Sequence, residues 1–239
     1  GVRIGQLVLN PLASAEVVLN ENERNMGAVV CDIGGGTTDL AIYVNGDVWH
    51  TMVLAMGGNQ ITQDIAIGLR IPVNIAEEVK KEYGFALQSE VGADEAFSLQ
   101  TFGADGPVRI SRRDLSMIIE ARVEEIFELT LQAIKRSGYD GLLSAGMILT
   151  GGTSLLPGIR QLASRVLGMP VRTAQPEKLL GLADKLNSPS HSTSVGLLTW
   201  AAALQDLPLQ DNSMRGRKIQ KGDGENWNTV KNLLKRLIP

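Results

Sequence analysis

Asp32-Ile33-Gly34-Gly35-Gly36-Thr37-Thr38-Asp39-Leu40 is the stretch that decides the fold class. Ala28 to Ile33 is a short apolar run with β-branched residues, bounded by glycines, and predicts a buried strand containing an aspartate near its end. Gly34 to Gly36 force a turn, and Thr37 to Val44 bring the chain back as a second strand. Glycines without Cβ atoms let successive backbone N–H groups converge on an anion. Thr37 and Thr38 add hydroxyl donors. Asp32 suits a hydrated Mg2+, an ion that binds through few carboxylates and several waters. A plain hairpin turn needs fewer glycines than this and no threonine pair. The stretch contains no G-x-x-x-x-G-K-[ST], and Asp39 stands where a dinucleotide fingerprint has its third glycine, so neither of those loops is present.

Working outward, Asn45-Gly46 suits a type I′ turn, so Thr37 to Val44 and Asp47 to Leu54 form a hairpin. Gly57-Gly58 breaks the chain before a helix that ends near Gly68. Asn74 and Glu77, at capping-box spacing, open a helix from Asn74 to Tyr83 that Gly84 closes. Ser89 to Val108 is punctuated by glycines and predicts a small β element or loop. Ser111 caps a long helix whose apolar positions Leu115, Ile118, Ile119, Val123, Ile126, Phe127 and Ile134 share a face, and Gly138 stops it. Met147 to Thr150 is a further strand, running into Gly151-Gly152 and then a helix from about Leu156 to Leu167. Ser192 to Gln205 is the last apolar helix of the body, and Val2 to Leu9 at the other end reads as part of a strand. This order describes an α/β or α+β protein, not an all-helical one.

At 239 residues, 44% of them hydrophobic, the chain can hold one large domain or two small lobes with a real core. A net charge of −3 gives no reason to expect nucleic acid as a partner. With only His50 and His191, a histidine-based metal site is not expected. Cys31 stands alone, which excludes an internal disulfide and fits a reducing cytoplasm. No run approaches the ~18 apolar residues that cross a bilayer, and no signal peptide opens the chain. Because Gly1 starts within a strand-like run, a longer parent protein is expected.

Charge is spread unevenly. Residues 206–239 carry seven basic and four acidic side chains, +3 in all, which leaves −6 on the other 205. From Leu207 to Asn226 Pro, Gly, Asn, Ser, Asp and Lys dominate, so 206–225 is expected to be a disordered linker. Beyond it, Trp227, Val230, Leu233, Leu234, Leu237 and Ile238 fall on one helical face within an arc of roughly 140°. Lys235 and Arg236 take the other face, with Lys231 near the boundary. A helix this short needs a surface to fold against. Its composition suits an anionic membrane interface, where each basic residue adds on the order of 1 kcal/mol. Docking on its own body or on another protein is the alternative, and the long linker argues against tight docking.

Asp32 to Leu40 resembles the second phosphate motif of the actin, Hsp70 and sugar-kinase superfamily. Leu149-Thr150-Gly151-Gly152-Thr153-Ser154 resembles that superfamily's adenosine motif, and Ala76-Glu77-Glu78-Val79-Lys80 resembles the helix whose Glu and Lys reach ribose and adenine. Pro11 to Ser14, Gly57 to Thr62 with Asp64 to Ala66, and Ser194 to Leu198 resemble the FtsA family in particular. The resemblance implies an α/β, actin-like (ribonuclease H-like) second lobe. Its lower subdomain would be 1–70 and 139–205, its smaller upper subdomain 71–138, followed by the linker and a membrane-targeting helix at 226–239. It implies ATP and Mg2+ as cofactors. Asp32, Gly34, Gly35, Gly36, Thr37 and Thr38 would hold phosphate, with Mg2+ reached by Asp32 through water. Gly57, Gly58, Glu77, Lys80, Gly151, Gly152, Thr153 and Ser154 would hold adenosine. No first phosphate loop lies upstream, so at most weak ATPase activity is expected of this chain alone.

The function implied is cell division: an actin-like adaptor that tethers the FtsZ ring to the cytoplasmic face of the membrane as a peripheral protein. Its partners would be the FtsZ C-terminal tail, other copies in filaments, anionic inner-membrane lipids and other divisome proteins. Trp227, Val230, Lys231, Leu233, Leu234, Lys235, Arg236, Leu237 and Ile238 would meet the lipid. Arg109, Arg112, Arg113 and Arg122 form a candidate docking area for an acidic peptide. An actin-like ATPase of pilus assembly or a small-molecule kinase of the same superfamily is the alternative, and neither has an evident use for a basic amphipathic tail.

Overall fold

The computed structural model describes residues 4–177 and 186–205. The expected linker and terminal helix at 206–239 lie outside them. Seven helices are numbered along the described chain: α1 Asn10–Val18, α2 Glu21–Met26, α3 Gly58–Leu69, α4 Val73–Tyr83, α5 Arg112–Ser137, α6 Ile159–Leu167 and α7 Ser192–Gln205. The strands are β1 Ala28–Ile33, β2 Thr38–Val44, β3 Asp47–Leu54, β4 Ala96–Leu99, β5 Val108–Ser111, β6 Gly146–Thr150 and β7 Val171–Thr173.

Five strands form one sheet in the order β3-β2-β1-β6-β7. The first three meander antiparallel, whereas β6 and β7 run parallel to β1. Asn45 and Gly46 both take positive φ, 53° and 89°, as a type I′ turn requires, so the β2–β3 hairpin follows from local chemistry. Every residue of β1 and β6 is buried, because both faces of these central strands are covered by helices.

The period-2 alternation of β1 sorts its side chains between two cores. Val29, Cys31 and Ile33 join the larger core with Leu115, Ile119, Val123, Ile126 and Phe127 of α5 and Leu162 of α6. Ala28 and Val30 join the smaller one with Ala15 and Val18 of α1. Asp32 has the parity of Ala28 and Val30, which directs its carboxylate toward α1 rather than α5.

Ser111 caps α5 through a hydrogen bond from the Asp114 N–H, and Gly138 ends it at φ 79°. The small β element expected between Ser89 and Val108 is the β4–β5 hairpin, with Phe97 buried against the stacked Tyr83 ring. The larger core runs without a break from β1 to Phe97, so the expected lower and upper subdomains share it.

Two local expectations are corrected. Residues 4–9 form no strand: Ile4 and Leu7 are 81% and 87% exposed, and among the described residues no strand pairs with them. α1 follows instead, with Pro11 in its first turn, where a missing N–H costs nothing. α4 begins one residue early at Val73 behind Pro72, so Asn74 does not cap it and Glu77 is freed from the capping box.

Candidate functional site

The loop after β1 is held by its carbonyl groups. Gly34 N–H donates to the Thr37 carbonyl (2.9 Å), while the Gly34 carbonyl accepts from Gly58 N–H (2.9 Å) and the Thr153 hydroxyl (2.9 Å). The Gly35 carbonyl accepts from Asn59 N–H (2.7 Å). The first turn of α3 is thus satisfied by the loop, as a buried helix N-terminus must be. A Cβ at Gly57 would lie 2.7 Å from both loop carbonyl oxygens, so only glycine permits this approach. The N–H groups of Gly35, Gly36 and Thr37 are left exposed, with no acceptor among the described residues. Three successive N–H groups without an internal acceptor among the described residues, on exposed glycine-rich backbone, are donors suited to an anion.

Beside the loop lies a cavity of about 520 Å³, within the size range of small-molecule sites. Gly35, Gly58, Glu77, Lys80, Gly152 and Thr153 line it, with Ile61, Leu155, Leu156 and Pro157 as the apolar wall. α3 and α4 are clamped at its rim by a network. Lys80 Nζ donates to Glu77 Oε2 (2.6 Å), the Thr62 hydroxyl (2.7 Å) and the Gly58 carbonyl (3.0 Å). Burial alone would raise the Glu77 pKa, but hydrogen bonds from Lys80 and Thr62, together with the Lys80 charge, hold it below the usual glutamate range. Gly151 sits at φ 86°, and a Cβ there would fall 2.4 Å from Asp32 Oδ1 and 2.5 Å from the Ile33 carbonyl oxygen. That turn therefore locks the end of β6 onto the end of β1.

Asp32 lies on the other side of the loop, 7% exposed. Its Oδ2 accepts from the Ser14 hydroxyl of α1 (2.5 Å) and the Thr193 hydroxyl of α7 (2.9 Å). Burial pushes this carboxyl above its ordinary range, the two hydroxyls pull it back, and the neighbouring charge of Asp39 pushes it up again. No cation pairs with it among the described residues.

The expected site residues therefore separate. Gly34 to Thr37, Gly57, Gly58, Glu77, Lys80, Gly152 and Thr153 gather around the loop and cavity. Thr38 and Ser154 do not: Thr38 is fully buried and donates to the Met56 carbonyl (2.8 Å), and Ser154 donates to the Gly151 carbonyl (2.7 Å). Thr38 is turned away by the strand alternation that makes it a neighbour of Ile33 in the hairpin. Asn59, the Leu155–Pro157 wall, and Ser190 from the short turn before α7 line the cavity without having been expected. Adjacency to Gly58 at the start of α3 would have placed Asn59, but no local signal links Ser190 to a loop so distant in sequence. The arginine cluster is also divided. Arg122 pairs with Asp64 (2.5 Å) and Glu125, and Arg112 with Glu95 (2.5 Å), whereas Arg109 and Arg113 are exposed and form no ion pair among the described residues.

Residues 29–196 match the family model for the cell division protein FtsA. The chain belongs to the FtsA family of cell division proteins. It is 41% identical over 214 residues to FtsA of Neisseria meningitidis, covering 89% of this chain and 52% of that protein. FtsA of Bacillus subtilis is 37% identical over 219 residues, 92% of this chain and 47% of the relative. The chain thus spans about half the length of the curated relatives it matches. Among solved structures, MreB5 of Spiroplasma citri bound to ADP superimposes with a TM-score of 0.63 at 22% identity, covering 82% of this chain and 61% of the other. The pilus biogenesis complex of PilM and PilN gives 0.59 at 19%, covering 82% and 52%. These likenesses establish the actin-like fold of this FtsA-family chain. No described helix is long and apolar enough to cross a membrane.

Proposed function

We propose that this chain is the ATP-holding second half of an FtsA-type adaptor that tethers the FtsZ ring to the cytoplasmic face of the membrane at the division site. One observation carries the reading: three free N–H groups at Gly35 to Thr37 open beside a ligand-sized cavity that Gly58, Glu77, Lys80, Gly152 and Thr153 line. The phosphates would sit on those N–H groups and the adenosine in the cavity. Mg2+ fits Asp32 as a second-sphere carboxylate, since its Oδ1 takes no hydrogen bond among the described residues. Nucleotide would favour a shape that self-associates into filaments. Residues 71–138 would form the upper subdomain that takes the acidic FtsZ tail, with Arg109 and Arg113 as its free charges. Residues 226–239 would lie on anionic lipid as a peripheral anchor, and the assembly would recruit other divisome proteins.

The test uses full-length protein, a fluorescent ATP analogue and anionic vesicles. Wild type binds the analogue, and Gly152→Val loses binding without losing thermal stability, because the nearest atom to a Cβ there, Ser190 Cβ, is 3.7 Å away. FtsZ sediments with vesicles only in the presence of the protein, and Leu234→Glu abolishes this while leaving ATP binding intact. Equal ATP binding by wild type and Gly152→Val would remove the nucleotide assignment. Unchanged sedimentation with Leu234→Glu would remove the anchor.

A further inference from the structure

The cavity and free N–H groups leave one built feature of the site without a role: the two hydroxyls on Asp32. Ser14 and Thr193 come from helices far apart in sequence, and both donate to the same carboxylate oxygen, at 2.5 and 2.9 Å. The two hydroxyl oxygens are 3.0 Å apart, so with both protons directed at Asp32 neither is left to bridge between them. Ser14 is fully buried, and the helices that carry the pair are packed backbone to backbone: a Cβ at Gly196 of α7 would fall 1.8 Å from the Ala13 carbonyl oxygen of α1. α7 makes a second contact of the same kind one residue earlier. Its Ser192 hydroxyl lies 2.7 Å from that of Thr150, the residue paired with Asp32 in the parallel register of β1 and β6. The first turn of α7 is thereby joined to the ends of both strands that lead into the site, one into the glycine loop and the other into Gly151-Gly152.

We infer that Ser14 and Thr193 are positioning residues for Asp32, and that through them nucleotide binding is linked to the seating of α1 on α7. This rests on the nucleotide reading above. A carboxylate beside the loop must hold one orientation to act on a bound Mg–ATP, and it has no cation of its own among the described residues to fix it. The hydroxyls supply that orientation. Any shift of Asp32 on nucleotide binding is then felt first by the α1–α7 contact, since its only side-chain hydrogen bonds among the described residues go there.

In the full-length protein, Ser14→Ala and Thr193→Val are each expected to weaken Mg–ATP binding about tenfold, the loss of one hydrogen bond to a charged group. Ser14→Thr and Thr193→Ser keep a hydroxyl and should stay near wild type. Amide exchange over Asn10–Val18 gives a second readout. ATP should slow it in wild type and Thr193→Ser, but not in Thr193→Val. Wild-type affinity in both hydroxyl-deleted variants overturns the inference while leaving the nucleotide reading intact. Equal losses in the deleted and hydroxyl-keeping variants also overturn it, because packing alone would then explain them. Absence of ATP binding by wild type would overturn both readings together.

Discussion

Asp32 and Glu77 stand on opposite sides of the same glycine loop, yet Asp32 is held by hydroxyls in a buried pocket, whereas Glu77 is half-buried and tied to Lys80. Both carboxylates are engaged by neighbours, but only one is neutralised. Glu77 has a cation 2.6 Å away, and its charge serves to fasten α4 to the start of α3. Asp32 has no such partner among the described residues, and burial disfavours its ionised form. Hydrogen bonding alone therefore does not show what an acid is for. An acid paired inside the fold is a clamp, whereas one with no cation of its own among the described residues is suited to a cation brought from outside.

The largest effect expected within this comparison is at Gly151, where α-carbon geometry joins the two sides. Gly151→Ala introduces a Cβ 2.4 Å from Asp32 Oδ1 at a φ of 86° and should destabilise the protein by about 3 kcal/mol or more in chemical denaturation. A loss below about 1 kcal/mol, the size of an ordinary substitution, would mean that Asp32 is free to move and is held no more firmly than Glu77. Next in size is Lys80→Met, which removes the closer of Glu77's two cations, leaves only the exposed Lys81 at 3.2 Å, and should cost about 1–2 kcal/mol. The melting curve should show it, and a loss indistinguishable from zero would break the clamp assignment. The smallest effect, and the most telling in sign, is Asp32→Asn. Replacing a carboxyl whose ionised form burial disfavours should change stability by no more than about 1 kcal/mol and in the stabilising direction. The same variant should weaken binding of Mg–ATP more than binding of ATP in the presence of a chelator. Destabilisation by Asp32→Asn with unchanged Mg–ATP affinity would make the two acids equivalent.

Much of this is legible in the amino-acid sequence. β1, the β2–β3 hairpin, α5 with both its caps, and β6 follow from glycine placement, an Asn-Gly turn, and apolar periods of 2 and 3.6. Those signals act within a few residues, so they survive without tertiary context. The segment before α1 did not follow, because an apolar run reads as a strand whether or not a neighbouring strand is there to pair with it. Pro72 displaced the expected cap of α4 because two start signals lie side by side: Pro72 occupies the cap position at φ −59°, so the helix begins at Val73 and Asn74 falls inside its first turn.

What the sequence determined by itself is the glycine loop with its aspartate, the alternation along β1 that turns Asp32 away from Cys31 and Ile33, and the i, i+3 spacing that lets Glu77 meet Lys80. What only the tertiary structure decided is which partner each acid received. Ser14 lies 18 residues from Asp32 and Thr193 lies 161 away, while Thr153 reaches Gly34 across 119. Contacts at those separations are chosen by how helices seat on the sheet, a choice made by the core as a whole. Local propensity fixes where a side chain points along its element, and packing fixes what it meets there.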